Sequence, residues 1–183
     1  MTALFPLPPG VRGDAVFSSD HCYRYWLERR WNDELPRITY VLLNPSVAGG
    51  DRDDATSRRL RAFTEAQGGG GYQLVNLFAL VDTDQVGLHL PRAIGESTEL
   101  ADQWITRAVE GADTVVLGWG NGNSRGPDAA LRKAAVRRRA AEVWPMVRGY
   151  RPQCFTTTTS GAPGHPLYLK TMTPMSDYTA RAA

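Results

Sequence analysis

Cysteine is scarce in this chain: Cys22 and Cys154 lie far apart, with no CxxC or Cys/His ligand spacing near either. A disulfide framework and a structural zinc are therefore not expected, and both thiols read as reduced, packed side chains. There is no apolar run of about 18 residues and no basic-then-apolar leader, so neither a membrane span nor an export signal is expected. Neither sign of charge dominates, since 21 Lys and Arg against 19 Asp and Glu leave a net charge of +2. That balance permits nucleic-acid binding without arguing for it. The expectation is a cytoplasmic monomer that needs no metal and no cofactor and meets no membrane.

What is present is a globular mixture, 42% hydrophobic and 22% charged over 183 residues. A chain of this size suits one domain that buries roughly 70% of its unfolded surface. Residues 1–20, with Pro6, Pro8, Pro9, Gly10 and Gly13, read as an arm without regular structure, and residues 174–183 as a loose tail, leaving residues 21–173 as the domain. YRYWLERRW, from Tyr23 to Trp31, alternates and reads as a two-faced strand that pairs at a sheet edge or packs across the entry to the core.

Beyond it the pattern is regular. Ile38–Leu43, Tyr72–Phe78, Thr114–Trp119 and Cys154–Thr158 are continuous apolar or β-branched runs, which suit strands covered on both faces. Between them lie helical patterns at 55–67, 95–110 and 127–147, with proline or serine near the starts and glycine after two of the ends. Strand and helix in alternation imply parallel crossovers and an α/β fold with helices on both faces of the sheet. In such a sheet ligands bind beyond the carboxyl ends of the strands.

Polar or glycine-rich residues punctuate those ends: Asn44-Pro45-Ser46, Asn76, Gly118-Trp119-Gly120-Asn121 and Gly164-His165-Pro166. Each has an ordinary structural reading. Asn-Pro is common turn chemistry, Asp53, Asp54, Thr56 and Ser57 suit a helix start, and His165 reads equally well as a satisfied loop histidine. Asn76 is harder to dismiss, because a buried amide needs partners for up to four hydrogen bonds. The loop GWGNGNSRG is neither a dinucleotide fingerprint at a first crossover nor a P-loop.

RYWLERRW, LLNPS, DDATSRRL, NLFAL, LGWG and GHPLYL, in that order, resemble the bacterial family called domain of unknown function 1643, over roughly residues 20 to 170. More distantly, VLLNPS, LVNL, VVLGWG and GHPL are similar in order to the motifs of the uracil-DNA glycosylase superfamily. That resemblance implies a three-layer α/β/α sandwich around a central, mainly parallel four-stranded sheet. It also implies hydrolysis of the N-glycosidic bond of a damaged, deaminated or modified base in DNA. It gives Asn44 the water-positioning role and His165 the role of facing the leaving base. Asp53 and Asp54 lie near Asn44 in sequence, which permits either to compensate for the amide as a carboxylate base. Asn76 takes the base edge, with Pro45, Ser46 and Phe78 beside it. Gly120, Asn121, Gly164 and Leu167 approach the nucleic acid, together with Arg58 and Arg59.

The chemistry suits those residue types. Breaking a base-to-sugar bond passes through an oxocarbenium-like sugar. It needs a positioned water and a donor for the developing anion. Three departures from the superfamily stand out: Leu43 near the Asn-Pro where a glycine is usual, Ser46 for glycine or tyrosine, and Leu167 for the serine of His-Pro-Ser. Arg132, Lys133, Arg137, Arg138 and Arg139 make the third helix basic, which suits either phosphate contact or a solvated face. Leu167, Tyr168 and Leu169 read either as an apolar wedge or as core. Two alternatives stand beside the DNA glycosylase: an N-glycosidase acting on a nucleoside or nucleotide, and a non-catalytic nucleic-acid or nucleotide-binding module.

Overall fold

The computed structural model describes residues 3–122 and 125–180, with the side chain of Tyr168 also outside the description. Its strands are β1 (Phe5–Pro6), β2 (Arg12–Phe17), β3 (Arg24–Arg30), β4 (Arg37–Leu42), β5 (Arg52–Asp53), β6 (Gly71–Asn76), β7 (Thr114–Leu117), β8 (Gln153–Cys154) and β9 (Ser176–Asp177). The helices are α1 (Ala55–Ala66), α2 (Thr98–Glu110) and α3 (Ala129–Val147). Among the described residues the main sheet has seven strands in the order β2-β3-β6-β4-β7-β8-β9. Its centre, β6-β4-β7-β8, is parallel, and β2, β3 and β9 add to it antiparallel.

The parallel centre follows from side-chain alternation between two covered faces. Val41, Val75, Val115 and Leu117 pack with Ile105, Ala108 and Val109 of α2 and with Val136, Val143 and Val147 of α3. Their neighbours Tyr40, Leu42, Leu74 and Val116 face the other way and pack with Leu60 and Phe63 of α1. One helix therefore covers one face and two cover the other.

Four expectations change. The mainly parallel four-stranded sheet is a mixed sheet of seven strands. The segment read as an irregular arm contributes β2, and β1 pairs with β5 in a separate two-stranded ribbon. With β2 outside it, β3 is an interior strand and not an edge. The loose tail contains β9, which pairs with β8. Glycines, prolines and short exposed strands conceal such edge pairings from periodicity, because the partner strand supplies the register.

Two side-chain devices hold the segment before α1. Arg29 Nε donates to Asp53 Oδ1 at 2.8 Å with both side chains buried, and Arg29 Nη2 donates to the carbonyls of Gly49 and Arg52 at 2.6 and 2.9 Å. Asp54 caps the helix: its Oδ1 accepts from the Ser57 N–H at 2.8 Å. Such a cap is worth about 0.5–2 kcal/mol. No helix among the described residues is long and apolar enough to cross a membrane.

Candidate functional site

A cleft of about 670 Å3 lies where the segments after β4, β6 and β7 meet the start of α1 and the His165 loop. Asn44, Pro45, Ser46, Asp54, Gly120, Asn121, His165 and Leu167 all line it. Beneath them a smaller cavity of about 20 Å3 shares Asn44, Ser46, Asp54, Thr56 and His165 with the cleft and adds Arg24, Leu42, Leu74 and Asn76. Asn44 and His165, from separate segments, thus line both spaces, and Asn76 lines the smaller one beside them.

Asn44 is oriented by its own surroundings. Its Nδ2 donates to the carbonyls of Asp82 at 2.6 Å and Pro45 at 3.0 Å. Two carbonyl acceptors fix the nitrogen end of the amide, so Oδ1 is the end left to meet a ligand, as an acceptor only. Ser46 Oγ lies 3.2 Å from Thr83 Oγ1, joining the same two segments.

His165 is held by the turn that follows it. The Leu167 N–H donates to His165 Nδ1 at 3.2 Å, which puts the imidazole proton on Nε2. Part of the residue borders the cleft, yet the ring is desolvated enough to push its pKa from 6.5 down to about 4, against a smaller raising effect of the Asp54 charge. The opposing effect puts Asp54 within Coulombic reach of the ring. The histidine is therefore neutral at pH 7 and a donor through Nε2. Gly118 makes this placement possible: a Cβ there would sit 2.8 Å from Leu42 Cδ2 and 2.9 Å from Pro166 Cδ, so a side chain would push the His-Pro segment away.

The pH dependence follows in sign. Between about 4 and 6.5 the unfolded chain binds a proton at this histidine that the folded chain does not. Its contribution to stability is complete above the unfolded value and is lost as pH falls toward the folded one. An NMR titration of His165 should give a midpoint near 4. A midpoint near that of a solvated imidazole would mean that the ring is not desolvated.

The carboxylates separate. Asp54 borders both the cleft and the inner cavity. Asp53 does not reach either, because Arg29 binds it on the other side of the chain. Three further expectations are corrected. Phe78 borders neither cavity but is buried in the core beside α2, and the aromatic residue that lines the cleft is Trp119. Gly164 is a packing position whose N–H donates to the Thr156 carbonyl at 2.8 Å. Arg58 lies 4.3 Å over the Phe5 ring, Arg59 Nη1 donates to Thr171 Oγ1 at 2.8 Å, and neither lines the cleft.

Other sequence readings divide similarly. Gly120 adopts φ +64° and donates its N–H to Pro163 O at 2.8 Å, while Asn121 Oδ1 accepts from Ser160 Oγ at 2.8 Å, so both form a built turn on the cleft wall. Asn123 and Ser124 of the same loop lie outside the described residues. Of the basic positions on α3, Arg132 and Arg139 are buried, Arg139 pairing with Asp102 and donating to Leu77 O at 2.9 Å. Leu167 borders the cleft, whereas Leu169 packs toward the core against α1.

The sequence reading missed two features. Asp82, Thr83, Asp84 and Gln85 form a wall of the cleft, Gln85 with φ +61°. Arg24, at the start of β3, is buried at 2% exposure in the inner cavity, and burial pushes its pKa down to about 10, which leaves it charged at pH 7. Its Nη1 donates to Ala48 O at 2.8 Å, but its Nε has no partner, and neither polar atom of the Asn76 amide has one. A buried polar group left unpaired costs about 1–3 kcal/mol, and more when charged. Among the described residues no group of three or more His, Cys, Asp or Glu is placed to hold a metal ion.

Comparison with curated proteins gave no match, and comparison with solved structures gave none. The family model described as protein of unknown function, DUF1643, matches residues 24–167, and the chain belongs to that family.

Proposed function

We propose that the protein is a uracil-DNA-glycosylase-like enzyme that hydrolyses the N-glycosidic bond of a damaged, deaminated or modified base in DNA. The observation that carries this reading is the meeting of Asn44, Asp54, Asn76 and His165 around one cleft and its inner cavity. The helices on both sheet faces suit the three-layer arrangement of that superfamily.

Asn44 Oδ1 accepts a hydrogen from the attacking water and aims its lone pair at the anomeric carbon. Asp54 takes the proton as the new C–O bond forms. The C–N bond breaks with its electron pair going to the base, and the Nε2–H of His165 donates to the negative oxygen that develops there. A neutral imidazole suits that role because it donates without being an acid that must first be recharged. A well-placed donor to a developing oxyanion is worth about 10²–10³ in rate. A base in a duplex must leave the stack to reach the cleft.

Release of free base from duplexes carrying uracil, hypoxanthine, alkylated bases or mismatches tests the reading. Asn44→Ala and His165→Ala should each lower release by about 10²-fold or more. No release across that panel removes the DNA-repair function.

One observation favours a second reading, an N-glycosidase acting on nucleosides or nucleotides. The carboxylates Asp54, Asp82 and Asp84 border the cleft against the cation Arg125, while Arg58 and Arg59 do not border it. Carboxylates at the mouth oppose a polyanion more than a small nucleoside. Turnover of nucleosides with no salt-dependent DNA affinity would select this reading.

A further inference from the structure

Tyr178 lies in the C-terminal segment, beyond residues 24–167 that the family model matches. β9 brings it to the sheet by pairing antiparallel with β8, and its N–H donates to Pro152 O at 2.8 Å. Its ring meets Trp119 at 6.3 Å and Trp144 of α3 at 5.8 Å between centroids, with the planes at 79° and 81°. Both are edge-to-face pairs, a preferred aromatic geometry. Its hydroxyl donates to Gly161 O at 3.1 Å. Burial, with a smaller effect of Cys154, pushes the phenol's pKa up, so the hydroxyl keeps its proton at neutral pH and remains a donor.

Both grips lead to the cleft. Trp119 is 4% exposed and supplies the aromatic wall of the cleft, so its indole borders ligand space and the Tyr178 ring at once. Gly161, with φ +84°, belongs to the turn of the loop that runs from Thr156 to His165. That loop closes on itself: the Thr158 N–H donates to Ala162 O and the Gly164 N–H to Thr156 O, both at 2.8 Å. It is fastened to the cleft wall by the bonds from Ser160 to Asn121 and from Gly120 to Pro163. Tyr178 fastens its turn to the C-terminal segment as well. His165 follows directly on Gly164, so a shift of the loop is a shift of the imidazole. A phenylalanine would fill the same space, and what the hydroxyl adds is a fixed point for the loop.

We infer that Tyr178 is a positioning residue of the cleft: its ring holds Trp119 as a wall, and its hydroxyl holds the loop that carries His165. The C-terminal segment is thereby a working part of the site. This role does not depend on which reaction occurs in the cleft, although the kinetic part of its test rests on the proposed base release.

Two substitutions separate the grips. Tyr178→Phe keeps the ring contacts and removes the bond to Gly161 O, whereas Tyr178→Ala removes both. Thermal melting checks folding, with Tyr178→Leu taking the place of Tyr178→Ala if the latter does not fold. An NMR titration of His165 in the full chain needs no turnover. Released from its anchor, the loop admits water to the imidazole, and the midpoint should rise above the wild-type value by about half a unit in Tyr178→Phe and further in Tyr178→Ala. Asp54, the charge that acts on the imidazole, is untouched by either change, so a rise reports solvation. In base release, Tyr178→Phe should lower kcat about 3- to 10-fold with KM unchanged, because a donor out of line is felt in the transition state alone. Tyr178→Ala should also raise KM, because the Trp119 wall loosens. A His165 midpoint that stays at the wild-type value in the folded variants overturns the inference, and so does base release with kcat and KM both unchanged. Release without a shifted midpoint sinks the role of Tyr178 and leaves the glycosylase standing, whereas a shifted midpoint without release from any substrate does the reverse.

Discussion

Replacing Asp54 with serine should leave the protein folded and stop it working. Serine caps a helix about as well as aspartate, so Asp54→Ser keeps the bond to the Ser57 N–H that Asp54→Ala loses at about 0.5–2 kcal/mol. Both substitutions remove the carboxylate at the cleft, and base release should fall about 10²–10⁴-fold in each, the range for general-base catalysis. The pair separates two roles of one side chain. Full release by Asp54→Ser would confine Asp54 to starting α1. A second readout needs no substrate: the Asp54 charge raises the His165 pKa, so removing it should move the His165 titration still lower.

The largest loss of stability is expected one residue earlier. Asp53→Ala leaves the Arg29 guanidinium buried without its carboxylate, and breaking such a pair costs about 3–5 kcal/mol. For a chain of this size that lowers Tm by about 6–20 °C. The carboxylate borders neither cavity, so activity per folded molecule should stay at the wild-type level. A Tm within a degree of the wild type would mean that the pair contributes nothing, and a normal Tm with lost base release would return Asp53 to the chemistry.

These neighbours show where sequence reading stops. Asp53 ends a strand, and Asp54 has φ −95° and ψ −177°, also extended. Successive side chains on extended backbone point to opposite sides, so adjacent carboxylates in DDATS go to an arginine and to a cleft. Nothing in composition says which goes where. That Asn44, Asn76 and His165 end near one another was legible because polar residues punctuate the ends of several apolar runs, and α/β crossovers bring such ends together.

Arg24 was not legible. In RYWLERRW the alternation implies one wet face, yet Arg24, Tyr25, Leu27 and Arg29 are all buried. The carbonyls of Ala48, Gly49 and Arg52 that receive these arginines come from a loop more than twenty positions away or nearly so, and periodicity carries no information about it. The 82–85 wall was missed for a similar reason: VDTDQVG has the composition of any turn, and only the path of the chain after β6 brings it over the cleft. The three helices were found to within about three residues of their observed ends, because caps such as Ser97 before α2 set boundaries that amphipathic spacing leaves soft.

The amide of Asn44 is tied to the backbone of Asp82, and Ser46 meets Thr83 across the same gap. The residue proposed to aim the water is thereby fastened to the opposite bank of the channel. A thick guest that pried the banks apart would swing the Asn44 oxygen off line before it disturbed the sheet below. Under the proposed function, thickness would be gauged by the same tether that sets the aim, and a flat ring entering edge first is the shape that would leave the tether intact.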